Sequence, residues 1–199
     1  NASTHRDEVR QRLGFTAEHI VIGKVARLFH LKGHADLIRA ARKVVAQIPQ
    51  ARFVLVGDGI LKESLALQIA NAGLTDHFQF TGLVPPSEIP DLLGAMDIVV
   101  HTSLREGLAR VLPQALIARK PVVSFDIDGA REVVIPDETG VLVSPQNVEE
   151  LSAGIIELAN SPETRDRFGN QGHDRFKEIF AHRHMTQLIR ELYTATING

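Results

Sequence analysis

Ile20-Val21-Ile22-Gly23-Lys24-Val25-Ala26-Arg27-Leu28-Phe29-His30-Leu31-Lys32-Gly33-His34 is the stretch whose reading decides the fold. Residues 20–26 form a short, β-branched and almost uninterrupted run, the pattern of a strand buried on both faces. A polar loop follows over residues 27–33. Residues 35–48 then place Leu37, Ile38, Ala41, Val44, Val45 and Ile48 at helical spacing, and Pro49 ends the helix. The stretch therefore opens a βα unit.

The alternation continues outward. Residues 52–56 read as a strand, Gly57-Asp58-Gly59 as a tight turn, and 61–72 as a helix closed by Gly73. Strands are expected at 77–81, 97–101, 121–125 and 141–143, with helices at 87–96 and 108–118 and one helical turn at 130–134. A short polar helix, 4–13, precedes the first strand, and three helices (148–160, 162–180, 182–196) close the chain. Six strands separated by helices imply an α/β fold, a Rossmann-like doubly wound parallel sheet of about six strands with C-terminal helices. The reading divides the chain into a Rossmann-like domain over 1–180 and a C-terminal helix over 181–199. Such sheets bind ligands beyond the carboxyl ends of their strands. The loops that begin at Arg27, Gly57, Gly82, Thr102 and Asp126 all leave those ends and are expected to line one rim.

Composition narrows the function classes. The 199 residues are 44% hydrophobic with a formal net charge of -2, ample for a core and without the basic surplus of a nucleic-acid protein. There is no Trp, so the core must be aliphatic, and no Cys, which excludes a disulfide framework and thiolate metal sites and fits a cytoplasmic location. No apolar run approaches the roughly 18 residues of a membrane span. The chain opens with Asn1 rather than Met, which leads to the expectation that it is cut from a longer one.

Two rim loops carry candidate chemistry. Arg27 and Lys32 stand five residues apart between a buried strand and a helix start, whose free N–H groups and dipole attract anions. The pair suits a diphosphate, with Gly33 allowing close backbone approach, or it is an ordinary pair of solvated cations. In the loop after the fourth strand Glu106 precedes Gly107-Leu108-Ala109 and an expected helix start. It is either a helix cap or a rim carboxylate that accepts hydrogen bonds from sugar hydroxyls, with the N–H groups from Gly107 onward meeting phosphate. Gly57-Asp58-Gly59 is a structural turn or a loop beside a nucleotide, and Asp126 and Asp128 read as turn formers.

In order and spacing the chain resembles the C-terminal domain of family 4 (group 1) retaining glycosyltransferases with the GT-B fold. The matching pieces are Val25-Ala26-Arg27-Leu28, Lys32-Gly33-His34, Val56-Gly57-Asp58-Gly59, Phe80-Thr81-Gly82, 97–103, Glu106-Gly107-Leu108, Lys120-Pro121-Val122-Val123 and Thr139-Gly140. The resemblance implies that Arg27 and Lys32 bind the donor pyrophosphate, that Glu106 contacts the donor sugar, and that Gly57 and Gly82-Leu83-Val84 lie near the nucleotide. It implies a nucleoside-diphosphate sugar donor and no metal or cofactor. It further implies an acceptor site on a separate N-terminal domain, against which residues 182–196 would pack, and leaves membrane association of a full-length enzyme open. The family's motif is Glu-x7-Glu, whereas here the second acid is Gln114, so the usual ribose contact is altered: an amide offers one acceptor oxygen and an NH₂ donor. Pro113 lacks an N–H and fits only within a helix's first turn. Two other classes stay open, a non-catalytic nucleotide-binding module in which Gln114 marks a drifted site, and a GT-B sugar-nucleotide epimerase. Of nine histidines, His30 and His34 are four apart but straddle Gly33, with no carboxylate at a zincin spacing, so no metal site is assigned.

Overall fold

The central βα unit forms where its pattern places it: β1 (Ile20–Val25) leads through a 3₁₀ turn, His30–Lys32, into α2 (His34–Gln47). The structure, a computed structural model, describes residues 2–198, with side chains described for all of these except 2–4, 182, 185, 188, 195 and 198. Asn1 and Gly199, the outer ends of the two expected segments, lie outside the described residues. The remaining strands are β2 (Ala51–Val56), β3 (Phe78–Gly82), β4 (Ile98–His101), β5 (Val122–Phe125) and β6 (Gly140–Val143). The remaining helices are α1 (Ala2–Arg12), α3 (Lys62–Asn71), α4 (Ile89–Ala95), α5 (Val111–Ile117), α6 (Val148–Asn160), α7 (Pro162–Phe176) and α8 (His182–Asn198).

All six strands pair in parallel in the order β3-β2-β1-β4-β5-β6, the expected doubly wound sheet. Alternate residues of each strand feed two cores, because successive side chains of a strand point to opposite faces. Ile22, Phe53, Leu55, Val100 and Phe125 meet α2, α3 and α6 on one face through Leu37, Val44, Leu65 and Ile155. Val21, Val54, Val99 and Val122 meet Leu92, Leu93, Leu112 and Leu116 of α4 and α5 on the other. Each such fully buried side chain contributes about 1.5–3 kcal/mol relative to its exposed state.

At the amino edge of the sheet Asp97 ties three elements together. Its carboxylate accepts from Arg6 at 2.6 Å and Arg10 at 2.5 Å, both on α1, and from the Val21 N–H of β1 at 2.7 Å. The expected strand at 97–101 begins one residue later, at Ile98, and these bonds, with Arg10 donating to Ala95 O at 2.9 Å and Val9 buried beside α4, dock a helix of polar composition. At the other end of the chain α8 leaves Ile189, Leu192, Tyr193 and Ile197 exposed on one helical stripe. Among the described residues no helix is long and apolar enough to cross a membrane.

Candidate functional site

The strand order reverses between β1 and β4, and ligands of open α/β sheets bind at such a crossing. A cleft of about 540 Å³ opens there at the carboxyl rim. Arg27, Lys32, Val84, Glu106, Leu108, Ala109 and Gln114, all expected site residues, line it, together with His101, Ser103 and Arg110. Gly57, Gly82, Leu83 and Gly107 are not among its lining residues. Leu83 is 84% exposed, and the Gly57 N–H donates to the Gly82 carbonyl at 3.1 Å, so the two glycines bridge the loops after β2 and β3.

The first loop is held from below by the second. The Leu28 N–H donates to Asp58 O at 2.9 Å and the Leu61 N–H to Leu28 O at 3.1 Å. Gly57 has φ +134° and no room for a side chain, since a Cβ there would lie 2.3 Å from the Ala26 carbonyl oxygen. Gly57-Asp58-Gly59 thus acts as a strut under Arg27, which favours the turn reading. Arg27 itself projects into solvent, its guanidinium carbon 5.9 Å from the Phe29 ring centroid. Gly33, at φ +63°, does allow a close approach, but to the neighbouring rim loop: a Cβ would lie 1.9 Å from Thr102 O.

Glu106 does not cap a helix. The expected helix from 108 starts only at Val111, which puts Pro113 third in the helix, within the first turn that a proline tolerates. The Glu106 side chain instead forms an ion pair with Lys32 across the cleft and accepts from Ser103 Oγ at 3.2 Å. Its backbone N–H donates to Asp128 Oδ2 at 2.7 Å, so Asp128 anchors the Glu106 loop as well as forming a turn. The helical spacing from Glu106 to Gln114 therefore does not apply, yet Gln114 still reaches the cleft from α5, beside Arg110. Among the described residues neither Gln114 nor Arg110 makes a side-chain hydrogen bond.

Beneath the rim lies a group of buried polar residues that the sequence pattern conceals. Lys24 sits inside an apolar strand run and is 1% exposed. Its ammonium donates to Thr102 Oγ1 at 2.9 Å, and that hydroxyl donates to Gly33 O at 2.8 Å, with Lys32 O at 3.2 Å. Burial, then the charge of Lys32, pushes Lys24 down to about 7, while Glu106 and Asp36 pull it back. His34 and His101 are buried at 2% and 3% exposure, and burial followed by the charges of Lys24 and Lys32 lowers both to about 3. His101 Nδ1 lies 3.1 Å from Ser124 Oγ, but His101 Nε2 and both nitrogens of His34 have no hydrogen-bond partner among the described residues. The side chain of His182 lies outside the described residues.

The chain belongs to the group 1 glycosyltransferases: the model of the family described as Glycosyl transferases group 1 matches residues 5–175. It is 31% identical over 157 residues to a 2-deoxystreptamine glucosyltransferase of Streptomyces kanamyceticus, covering 78% of this chain and 41% of that protein. It is 30% identical over 174 residues to a GDP-mannose-dependent monoacylated alpha-(1-6)-phosphatidylinositol monomannoside mannosyltransferase of Corynebacterium glutamicum, covering 84% of this chain and 45% of the relative. Among solved structures it is similar to Anabaena Alr3699/HepE in complex with UDP-glucose, with a TM-score of 0.88 and 30% identity over 96% of this chain and 53% of that one. It is also similar to the C-terminal domain of the group 1 glycosyl transferase LpcC from Francisella tularensis, with a TM-score of 0.77 and 25% identity over 85% of this chain and 89% of that domain. The chain thus spans under half the length of these curated relatives.

Proposed function

We propose that this chain is the donor-binding half of a glycosyltransferase that moves a sugar from a nucleoside-diphosphate sugar to an acceptor. Arg27 and Lys32 hold the diphosphate, Glu106 holds the sugar, and Gln114 faces the ribose. The observation that carries this reading is the convergence of Arg27, Lys32 and Glu106 on one cleft at the crossing of β1 and β4. The complexes of Anabaena Alr3699/HepE with UDP and with UDP-glucose support a nucleotide-sugar ligand.

Transfer breaks the bond between the anomeric carbon and a phosphate oxygen. The bonding electrons leave on the diphosphate while the sugar ring gains oxocarbenium character, so stabilising the leaving group is the main task of this half. Arg27 offers a planar fork of N–H donors to phosphate oxygens, and Lys32 adds a point charge. Glu106, oriented by Ser103 and Lys32, accepts from sugar hydroxyls. It is a poor candidate for a nucleophile, because among the described residues lining the cleft no second acid stands opposite it to complete a glycosidase-like pair. Retention of the anomeric configuration follows from the family resemblance. The acceptor then comes from an N-terminal domain, for which the apolar stripe of α8 is a suitable packing surface.

Calorimetry with UDP-glucose, GDP-mannose and uridine tests the assignment. One sugar nucleotide is expected to bind and uridine is not, and EDTA is expected to leave the affinity unchanged. Charge-assisted hydrogen bonds contribute about 1.5–3 kcal/mol, so Arg27→Ala and Lys32→Ala are each expected to weaken binding by about tenfold or more. Equal affinity of wild type and both variants would remove the diphosphate assignment. This chain alone is expected to transfer no sugar, since it supplies one wall of a cleft that closure completes.

A further inference from the structure

We propose that Lys24 is a positioning residue of the cleft: it locks the Lys32 loop to the Glu106 loop through Thr102 and gains a proton as a diphosphate arrives. The inference rests on the donor-binding reading above.

The geometry is that of a tie beneath the site. Lys24 is two residues beyond Ile22 on β1 and faces the same side, toward the start of α2. A buried ammonium is costly unless charges and hydrogen bonds compensate it. The compensation present serves the rim. The Thr102 hydroxyl accepts from Lys24 and passes its single proton to the Gly33 carbonyl, with the Lys32 carbonyl beside it. One buried ammonium therefore fixes the backbone of Lys32-Gly33 against the start of the loop that carries Ser103 and Glu106.

The charges around Lys24 come from three sides. Lys32 approaches from the loop after β1. His34 and Asp36 approach from α2, Asp36 being paired with Arg39, and His101 and Glu106 from β4 and its loop. In the free protein Glu106 is shared with Lys32, and burial, then the charge of Lys32, holds Lys24 down to about 7. A diphosphate on Lys32 adds negative charge above the tie and shifts Lys24 to its ammonium form. The proton comes from solvent and joins the Nζ lone pair, and no bond of the ligand changes. The sign follows from linkage: where the complex holds more protons than the free protein, affinity falls as pH rises. His34 and His101, pushed to about 3, stay neutral throughout and compete for no proton.

The experiment is calorimetry at pH 8 in HEPES and in Tris, with UDP-glucose and in parallel GDP-mannose; their diphosphate diesters carry no phosphate group that titrates nearby. Wild type is expected to take up more than half a proton per sugar nucleotide bound, and to bind about tenfold more weakly at pH 8.5 than at pH 6.5. Lys24→Met is expected to abolish the uptake and flatten the pH profile, with affinity about tenfold below wild type at pH 6.5 and converging with it above pH 8.5. A residue of merely structural importance would lower affinity by one factor at every pH. Thr102→Val, which cuts the tie and keeps the ammonium, is expected to weaken binding while retaining uptake. Binding without uptake by wild type, a measurement that needs no variant to fold, would overturn the inference and leave the donor site standing. Uptake undiminished in Lys24→Met would do the same. Failure of wild type to bind either sugar nucleotide would overturn the donor reading and this inference with it.

Discussion

Gln114→Glu restores the second carboxylate of the Glu-x7-Glu pattern, and its effect can be worked from the geometry of α5. Gln114 faces the cleft without a side-chain partner among the described residues, so it is free to meet a ligand hydroxyl. A neutral hydrogen bond contributes about 0.5–1.5 kcal/mol and one to a charged group about 1.5–3, which makes the exchange worth about 1 kcal/mol, or about fivefold. Two terms oppose it. Arg110 lies one turn earlier and would draw the new carboxylate toward itself by about 0.2–0.5 kcal/mol. The diphosphate repels it by about 0.5 kcal/mol per unit charge at about 8 Å through solvent. UDP carries about two to three such charges, so the opposing terms slightly exceed the gain and Gln114→Glu is expected to bind UDP about two- to threefold more weakly. Neither opposing term involves the ribose, so both persist for 2′,3′-dideoxy-UDP, and the affinity ratio of UDP to its dideoxy analogue isolates the hydrogen bond. That ratio, measured by calorimetry, is expected to rise about fivefold in Gln114→Glu. An unchanged ratio would show that Gln114 does not touch the ribose and would leave it as a packing residue.

Other perturbations test the frame around the cleft. Gly33→Ala is expected to cost about 2–3 kcal/mol in urea unfolding and to abolish sugar-nucleotide binding, because its Cβ meets Thr102 O at 1.9 Å; an unaltered affinity would refute the close packing of the two loops. Asp97→Asn leaves Arg10, 5% exposed, without its counter-charge and is expected to cost about 3–5 kcal/mol. Burial raises the Asp97 pKa, but the Val21 N–H, Arg10 and Arg6 outweigh it and hold it below 3.8. Its contribution is thus complete above the unfolded value and lost as pH falls through the folded one, so the gap between wild type and Asp97→Asn should be constant from about pH 5 to 8 and close in stronger acid. Arg119 ends α5 at φ +60°, where glycine is the usual residue, so Arg119→Gly is expected to melt about 3 °C above Arg119→Ala, the reverse of the ordinary order.

The strands were legible because a parallel sheet covered on both faces demands apolar runs, and β1, β2, β4 and β5 supply them. The rim cations and Glu106 were legible for a related reason, since topology alone sends the loops after β1 and β4 to one edge. The late start of α5 was also present in the sequence: a proline confined to a first turn conflicts with a helix that begins five residues before Pro113. Lys24 was not legible. Its neighbours Ile22, Gly23 and Val25 read as a strand whatever occupies position 24, and only the folded chain brings it to Thr102, 78 positions away. His34 and His101 were opaque in the same way, because nothing in their spacing tells that both are buried with nitrogens that find no partner among the described residues.

The sheet order has a kinetic consequence. Lys32 and Glu106 are separated by 74 positions and reach the cleft from different halves of the sheet, one half built from β1 to β3 and the other from β4 to β6. Contacts of such long range form late, after the local βα units have closed their own loops. Either half folding alone would carry part of the charge pattern and none of the cleft, so a partly folded chain cannot hold a donor. The ligand stabilises the finished sheet alone, by mass action. If the pairing of Lys32 with Glu106 forms on the native side of the barrier, sugar nucleotide should accordingly slow unfolding more than it speeds folding.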